Sequence, residues 1–241
     1  MPTERCRGTG KKMSSTTSLT YVIDVSDEPA GAGDRNTIGG WPVLDARQPW
    51  PVCDCGTRMA LYFQVRIPDD VPHFGGDQLL VLQCPLESDA CFSPADPQLP
   101  EQFWDKAPAN SHAFWRILLQ RNGIPTETPD SFLRPTRLTL QRHEDVDLHN
   151  DDSPLQDFKV GGAPYWVQDG EQYRCPCGTD LTFVCQIPEN FEFYDYLRED
   201  LDDSAEYPAA FDDGFLLGNM VYILACPAHC HPAAAYPVCQ N

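Results

Sequence analysis

Positive charge is what this sequence is shortest of. Its 241 residues carry 17 Lys and Arg against 36 Asp and Glu, a formal net charge of −19. The isoelectric point falls near 4.4. Such a surface repels phosphate, which excludes direct DNA or RNA binding as the main activity. Long apolar runs are missing too: no segment approaches the roughly 18 apolar residues that span a bilayer, so no membrane partner is expected. Arg5, Arg7, Lys11 and Lys12 are followed by Ser and Thr, not by an apolar stretch, so no secretory signal is read there. A cytoplasmic, reducing setting is expected, in which clustered thiols favour metal over disulfides.

Catalytic motifs are equally scarce. There is no Gly-x-Ser-x-Gly elbow and no dinucleotide fingerprint. Gly8–Lys12 fails as a phosphate loop, because Arg5 stands where a glycine belongs and Lys12 where Ser or Thr belongs. His143 and His149 lack the spacing of a helical zinc pair. Asp145–Asp151 fails as a calcium loop, with Asn150 in the glycine position and Gln156 in place of the closing glutamate.

Cysteine is abundant instead, with 11 residues, and eight of them fall into two parallel sets. Ile38-Gly-Gly-Trp-Pro42, Cys53-Asp-Cys55-Gly-Thr57 and Gln64-Val65 recur as Val160-Gly-Gly-Ala-Pro164, Cys175-Pro-Cys177-Gly-Thr179 and Gln186-Ile187. The pairs 53/175, 55/177 and 64/186 all differ by 122. Each copy then reaches an apolar run ending in Cys-Pro, at Cys84 and Cys226, with a further cysteine at Cys91 or Cys230. Structural zinc takes four ligands in a tetrahedron, often thiolates. The eight candidate ligands are therefore Cys53, Cys55, Cys84 and Cys91 for one ion and Cys175, Cys177, Cys226 and Cys230 for a second. Gly56 and Gly178 would allow positive φ in each turn. His229 or His231 could replace Cys230. A redox role or plain buried thiols are the competing readings. A disulfide inside Cys-x-Cys would be strained. Four protein ligands leave no open position, which makes two structural zinc ions the expected cofactors rather than catalytic ones.

The expected fold is mainly β (α+β), with two pseudo-symmetric β modules from an internal duplication, each holding a zinc-ribbon-like four-cysteine site. Residues 1–20 read as a disordered tail, and 21–241 as a single duplicated domain. Module 1 runs from about 36 to 95, a connecting segment from 96 to 158, and module 2 from about 159 to 232. Strand candidates are Tyr21–Val25, Met59–Val65, Gln78–Gln83, Ala113–Leu119, Arg137–Arg142, Leu181–Ile187 and Asn219–Ala225. Phe191–Leu201 could form a short helix. Cys185 reads as core, and Cys6 and Cys239 as tail thiols without a partner. The two glycine pairs read as sharp turns and Gln64 and Gln186 as buried amides bridging backbone. Sixteen of the 36 acids lie in two segments, six in 144–157 and ten in 189–213, the latter with Arg198 as its one basic residue.

The order of these elements resembles the bacterial YwqG-like family of unknown function. It also resembles the programmed cell death protein 2 family and its ribosome-assembly relatives. The residues that carry the likeness are Cys53/Cys55, Phe63-Gln64 and Cys84/Cys91 in one half, and Cys175/Cys177, Gln186 and Cys226/Cys230 in the other. Phe114–Asn122 is similar to a Trp-Arg…Gln…Arg-Asn strand of the eukaryotic group. This chain uses Cys-x-Cys where those families mostly use Cys-x2-Cys, and lacks the inserted zinc finger of the eukaryotic members. The resemblance spans about 36–232 and implies a β-rich, pseudo-twofold fold. It also implies a cytosolic binding protein or chaperone for a basic, ribosomal-type client. The alternative is a carboxylate-dependent hydrolase acting in a cleft between the halves.

Overall fold

A computed structural model describes residues 18–89, 94–105, 114–145, 155–200, 209–211 and 214–241. The strands are β1 (Ser18–Pro29), β2 (Thr37–Ile38), β3 (Val43–Leu44), β4 (Ala60–Arg66), β5 (Gln78–Gln83), β6 (Trp115–Gln120), β7 (Ile124–Pro125), β8 (Thr136–Asp145), β9 (Lys159–Gly161), β10 (Thr182–Ile187), β11 (Met220–Ala225) and β12 (Ala235–Gln240). Apart from the small β3–β7 pair they form one ten-stranded, nearly closed, barrel-like sheet, in the order β12-β11-β10-β9-β1-β8-β2-β4-β5-β6. Every residue of β5 and β11 is buried, as is β4 up to its last residue. Both faces of these strands are therefore covered, which explains their continuous apolar runs.

The sheet order is a palindrome of the sequence. From one edge it runs β6-β5-β4-β2-β8, and from the other β12-β11-β10-β9-β1. The first strand of each half crosses into the other: β1 pairs with β9, β8 pairs with β2, and β1 pairs with β8 at the centre. Local detail repeats as well. The β4–β5 register shifts between Leu61 and Phe63, and the β10–β11 register between Phe183 and Cys185, positions 122 apart. Gln64 Oε1 accepts the Val43 N–H at 2.9 Å, and Gln186 Oε1 accepts the Tyr165 N–H at 2.8 Å, again 122 apart.

Several expectations need correction. Ser18–Thr20 belong to β1 and Thr20 is fully buried, so the tail is shorter than 1–20; residues 1–17, with Cys6, lie outside the described residues. Segment 96–158 is no connector, since it supplies β6 and β8. The second half extends past 232 into β12. Pro237 argues against a strand in the sequence, but β12 pairs on one side only and tolerates it. Cys239 sits in this strand and is disulfide-bonded, so it is not an unpartnered tail thiol.

In place of a helix at 191–201, the chain makes a single 3-10 turn at Phe193–Tyr196. Phe191 and Phe193, two residues apart, both pack against other rings, Phe191 on Phe158 and Phe193 on Tyr62. A helix would turn them to different sides. Phe211 and Phe215 join them around Tyr62, with ring centroids 5.0 and 5.3 Å away. Of the acidic stretch 144–157, residues 146–154 lie outside the described residues, but Asp145 is no solvated acid. It ends β8, is 1% exposed, and accepts Lys159 Nζ at 2.6 Å, with Lys159 fully buried. Leu155 N–H and Ala163 N–H donate to the same carboxylate. Burial pushes the Lys159 ammonium below its ordinary value and the Asp145 contact opposes this.

Removing one partner of a buried pair strands the other. Lys159→Met should therefore lower stability by about 3–5 kcal/mol in urea denaturation. A loss below about 1 kcal/mol, the range of surface pairs, would show that the pair contributes no more than an exposed one.

Candidate metal centres

Each Cys-x-Cys-Gly-Thr segment folds as the same tight hairpin. Cys53 N–H donates to Thr57 O and Gly56 N–H to Cys53 O; Cys175 N–H donates to Thr179 O and Gly178 N–H to Cys175 O. The flanking pairs Val52/Arg58 and Arg174/Asp180 bridge antiparallel. Gly56 and Gly178 sit at φ of 87° and 89°, the left-handed region such three-residue loops require. The two cysteines of each turn split in burial: Cys53 and Cys175 face inward, Cys55 and Cys177 outward. The partner thiols Cys84 and Cys226 directly follow β5 and β11.

The second cluster is complete. Cys175, Cys177, Cys226 and Cys230 offer sulfurs all within 4.8 Å of one another. Cys175 and Cys230 are 3.4 Å apart, and Cys177 and Cys226 3.5 Å. Four sulfurs held about 2.3 Å from one ion in a tetrahedron stand about 3.8 Å apart, whereas a disulfide needs about 2 Å. The spacing fits a shared ion. In the first cluster Cys53, Cys55 and Cys84 come together within the same limit, with Cys55 and Cys84 3.6 Å apart. Cys91, expected as its fourth ligand, lies outside the described residues. None of these seven thiols is in a disulfide.

Neither histidine takes a ligand position. His229 Nε2 lies 3.1 Å from the His73 carbonyl and Nδ1 lies 3.4 Å from Asp77 Oδ2. His231 stacks on Trp104, centroids 4.6 Å apart, and its Nδ1 accepts the Ala233 N–H. Cys185 is buried within β10 and its thiol is pushed up by burial.

The thiols of each cluster are tuned apart. The Thr179 hydroxyl pulls Cys177 down to about 6, and the Thr57 hydroxyl lowers Cys55 likewise. Burial raises Cys53, Cys84 and Cys175, and lifts Cys230 to about 11. The outward Cys177 is thus the readier thiol of its cluster to ionise, while Cys175 and Cys230 hold their protons more tightly and would release them to a bound dication.

Two features escaped the sequence reading. One is the Asp145–Lys159 pair. The other is the set of residues, Asp45, Asp77, Arg121, His229 and His231, that line a cavity of about 700 Å³ between the halves, where the alternative reading expected a cleft. No motif marks either, because their members come from separate strands and loops. The glycine pairs behave as expected: Gly39, Gly40, Gly161 and Gly162 all have positive φ, and a Cβ on Gly162 would sit 2.6 Å from Asp145 Oδ2. Among the described residues no helix is long and apolar enough to cross a membrane. Neither a protein-family model nor a curated protein matches the chain.

Metal affinity should fall with acid. The raised thiols hold protons at neutral pH and must lose them to coordinate, so lower pH favours the metal-free form. Competition against a coloured chelator should show about two to three decades weaker binding per pH unit below 8, for two or three protons released per ion. Affinity independent of pH would contradict thiolate ligation. His231→Ala should keep the parent's metal content, whereas Cys177→Ser should lose one ion.

Proposed function

We propose that the chain is a zinc-stabilised protein-interaction module that arose by duplication of one β unit and serves as a chaperone or binding partner for a basic protein in the cytosol. Zinc fits a closed set of thiolates in tetrahedral spacing, and with four protein ligands the ion is structural. Binding of this kind can contribute on the order of 10 kcal/mol to folding. The duplication is supported by the fixed offset of 122, the palindromic strand order and the repeated bulge. The resemblance to the YwqG-like and programmed cell death protein 2 families points the same way.

One observation carries the basic-partner reading. The inserted segment after β10 is anchored by buried Phe193, and Glu189, Glu192, Asp195, Glu199 and Asp200 around it are all exposed. An apolar anchor thereby holds out a cluster of acids, matched to Lys- and Arg-rich surfaces and suited to fast capture. Purified protein used as bait should retain basic, ribosomal-type proteins at about 50 mM salt and release them well above 150 mM, as screening shortens. The same bait with those five acids replaced by their amides should retain far less. Recovery of no basic partner at either salt concentration defeats the reading.

The second reading, a carboxylate-dependent hydrolase, draws on the cavity between the halves. Its most buried carboxylate, Asp77, already accepts the Arg121 Nε–H at 2.8 Å, so one of its oxygens is occupied. Turnover of p-nitrophenyl acetate that disappears in Asp77→Asn would favour this reading.

A further inference from the structure

The two metal clusters differ in what surrounds them. Three segments of the first half converge on the second cluster. Residues 97–99 bridge its turn: Leu99 N–H donates to Arg174 O, Arg174 N–H donates to Pro97 O, and Gln98 Nε2 reaches Cys175 O at 3.3 Å. Trp104 stacks on His231 at an interplanar angle of 8°. Between Cys226 and Cys230 lies His229, in the left-handed region at φ 48°. Its ring reaches the His73 carbonyl and the Asp77 carboxylate, and packs on Phe74 with centroids 5.7 Å apart. Just past Cys230, Pro232 O accepts the Leu119 N–H of β6 at 2.8 Å.

At the first cluster the tie lies beside the thiols and not in a ligand loop: Gln83 Oε1, next to Cys84, accepts the Leu216 N–H at 3.1 Å. Among the described residues, no hydrogen bond joins Cys53, Cys55, Gly56, Thr57 or Cys84 to the second half.

Resting on the metal reading above, we infer that the Cys226–Pro232 loop is a metal-held strap: an ion at the second cluster, and not at the first, fastens the two edges of the sheet together and fixes one wall of the cavity between them. The physical reason is the placement of the anchors. Cys226 and Cys230 flank the strap's middle, so ligation at both sets the loop's shape. The left-handed backbone of His229 is an uncommon conformation for a residue with a side chain and persists only where its surroundings impose it. Without the ion, the strap relaxes, His229 leaves Asp77 and His73, and Pro232 leaves Leu119. Because Cys226 and His229 also line the cavity, its shape then changes with metal occupancy.

Hydrogen exchange read by mass spectrometry on the full chain tests this, with metal content measured in parallel. Cys177→Ser empties the second cluster and Cys55→Ser the first; both positions are exposed, so serine disturbs little packing. Cys177→Ser should speed exchange in peptides covering 73–77 and 115–122 by about tenfold or more, as a local opening does. Cys55→Ser should leave those peptides protected. His229→Ala keeps every thiol and should retain the parent's metal while exchange at 73–77 rises. Protection at the seam that survives loss of the second ion, or that is lost equally with the first, overturns the strap and leaves the metal reading intact. Unchanged exchange at 73–77 in His229→Ala also overturns it, and does so even if Cys177→Ser unfolds as a whole. Purified protein without bound metal overturns both.

Discussion

The antiparallel pairing of β1 with β8 is the contact on which the rest of the molecule depends. It joins Ser18 to Asp145 and Val25 to Leu138, so its partners are more than a hundred residues apart. Each strand also serves the other half, β1 beside β9 and β8 beside β2. Neither half owns a complete sheet, and cutting the chain between them would expose an open edge on each side. Contacts this distant in sequence make folding slow, because long loops close before the pairing rewards them. The Asp145–Lys159 pair sits where this exchange is made. Burying two charges costs desolvation energy, offset here by the 2.6 Å contact and two further N–H donors on the carboxylate. Such a pair adds little to net stability but penalises any register that leaves one charge alone.

Sequence patterns reach the strands and the thiols because both are local. Seven strand candidates coincide with strands, since alternation and apolar runs bounded by Gly and Pro are set by neighbours in the chain. The Cys-x-Cys-Gly-Thr turns are legible for the same reason. Gln64 and Gln186 are the buried bridging amides expected of them. What stays hidden is non-local. The crossing of β1 and β8 has no marker in either strand. Strand β12 is concealed by Pro237, which matters only if both edges of a strand must pair. The apparent helix at 191–201 misleads because its aromatics answer to Tyr62 and Phe158, far away in sequence, as well as to each other.

The tight cysteine spacing has a structural explanation. A three-residue hairpin loop with glycine in the left-handed position brings its middle cysteine back to the one that opens the turn, so their sulfurs lie within 4.8 Å although one is buried and the other exposed. The threonine that closes the turn lies beside the outward thiol, and the Cys177 thiol donates to Thr179 Oγ1 at 3.4 Å. Proximity of the thiols is thus built into the turn, and the strand ends bring the remaining sulfurs to it.

A nearly closed sheet must still deal with its two edges, and this chain treats them unequally to the centre. At the centre, continuous chain crosses between the halves and cannot come apart without unfolding. At the seam, β6 meets the loop ahead of β12 through the Leu119 N–H to Pro232 O hydrogen bond, and β12 itself through the Trp115–Tyr236 ring contact. Pro232 and Pro237 offer no N–H along that line, so strand pairing alone is a weak closure there. The loop that carries Cys226 and Cys230 leads directly from β11 into β12 and bears the residues that touch β6 and the 73–77 loop. Placing thiolate ligands in that loop puts the strongest available cross-link next to the weakest stretch of backbone pairing. The first cluster abuts the other end of β6, where Cys84 N–H donates to Phe114 O, but its own thiols all come from the first half, so an ion there would tie together segments of that half alone.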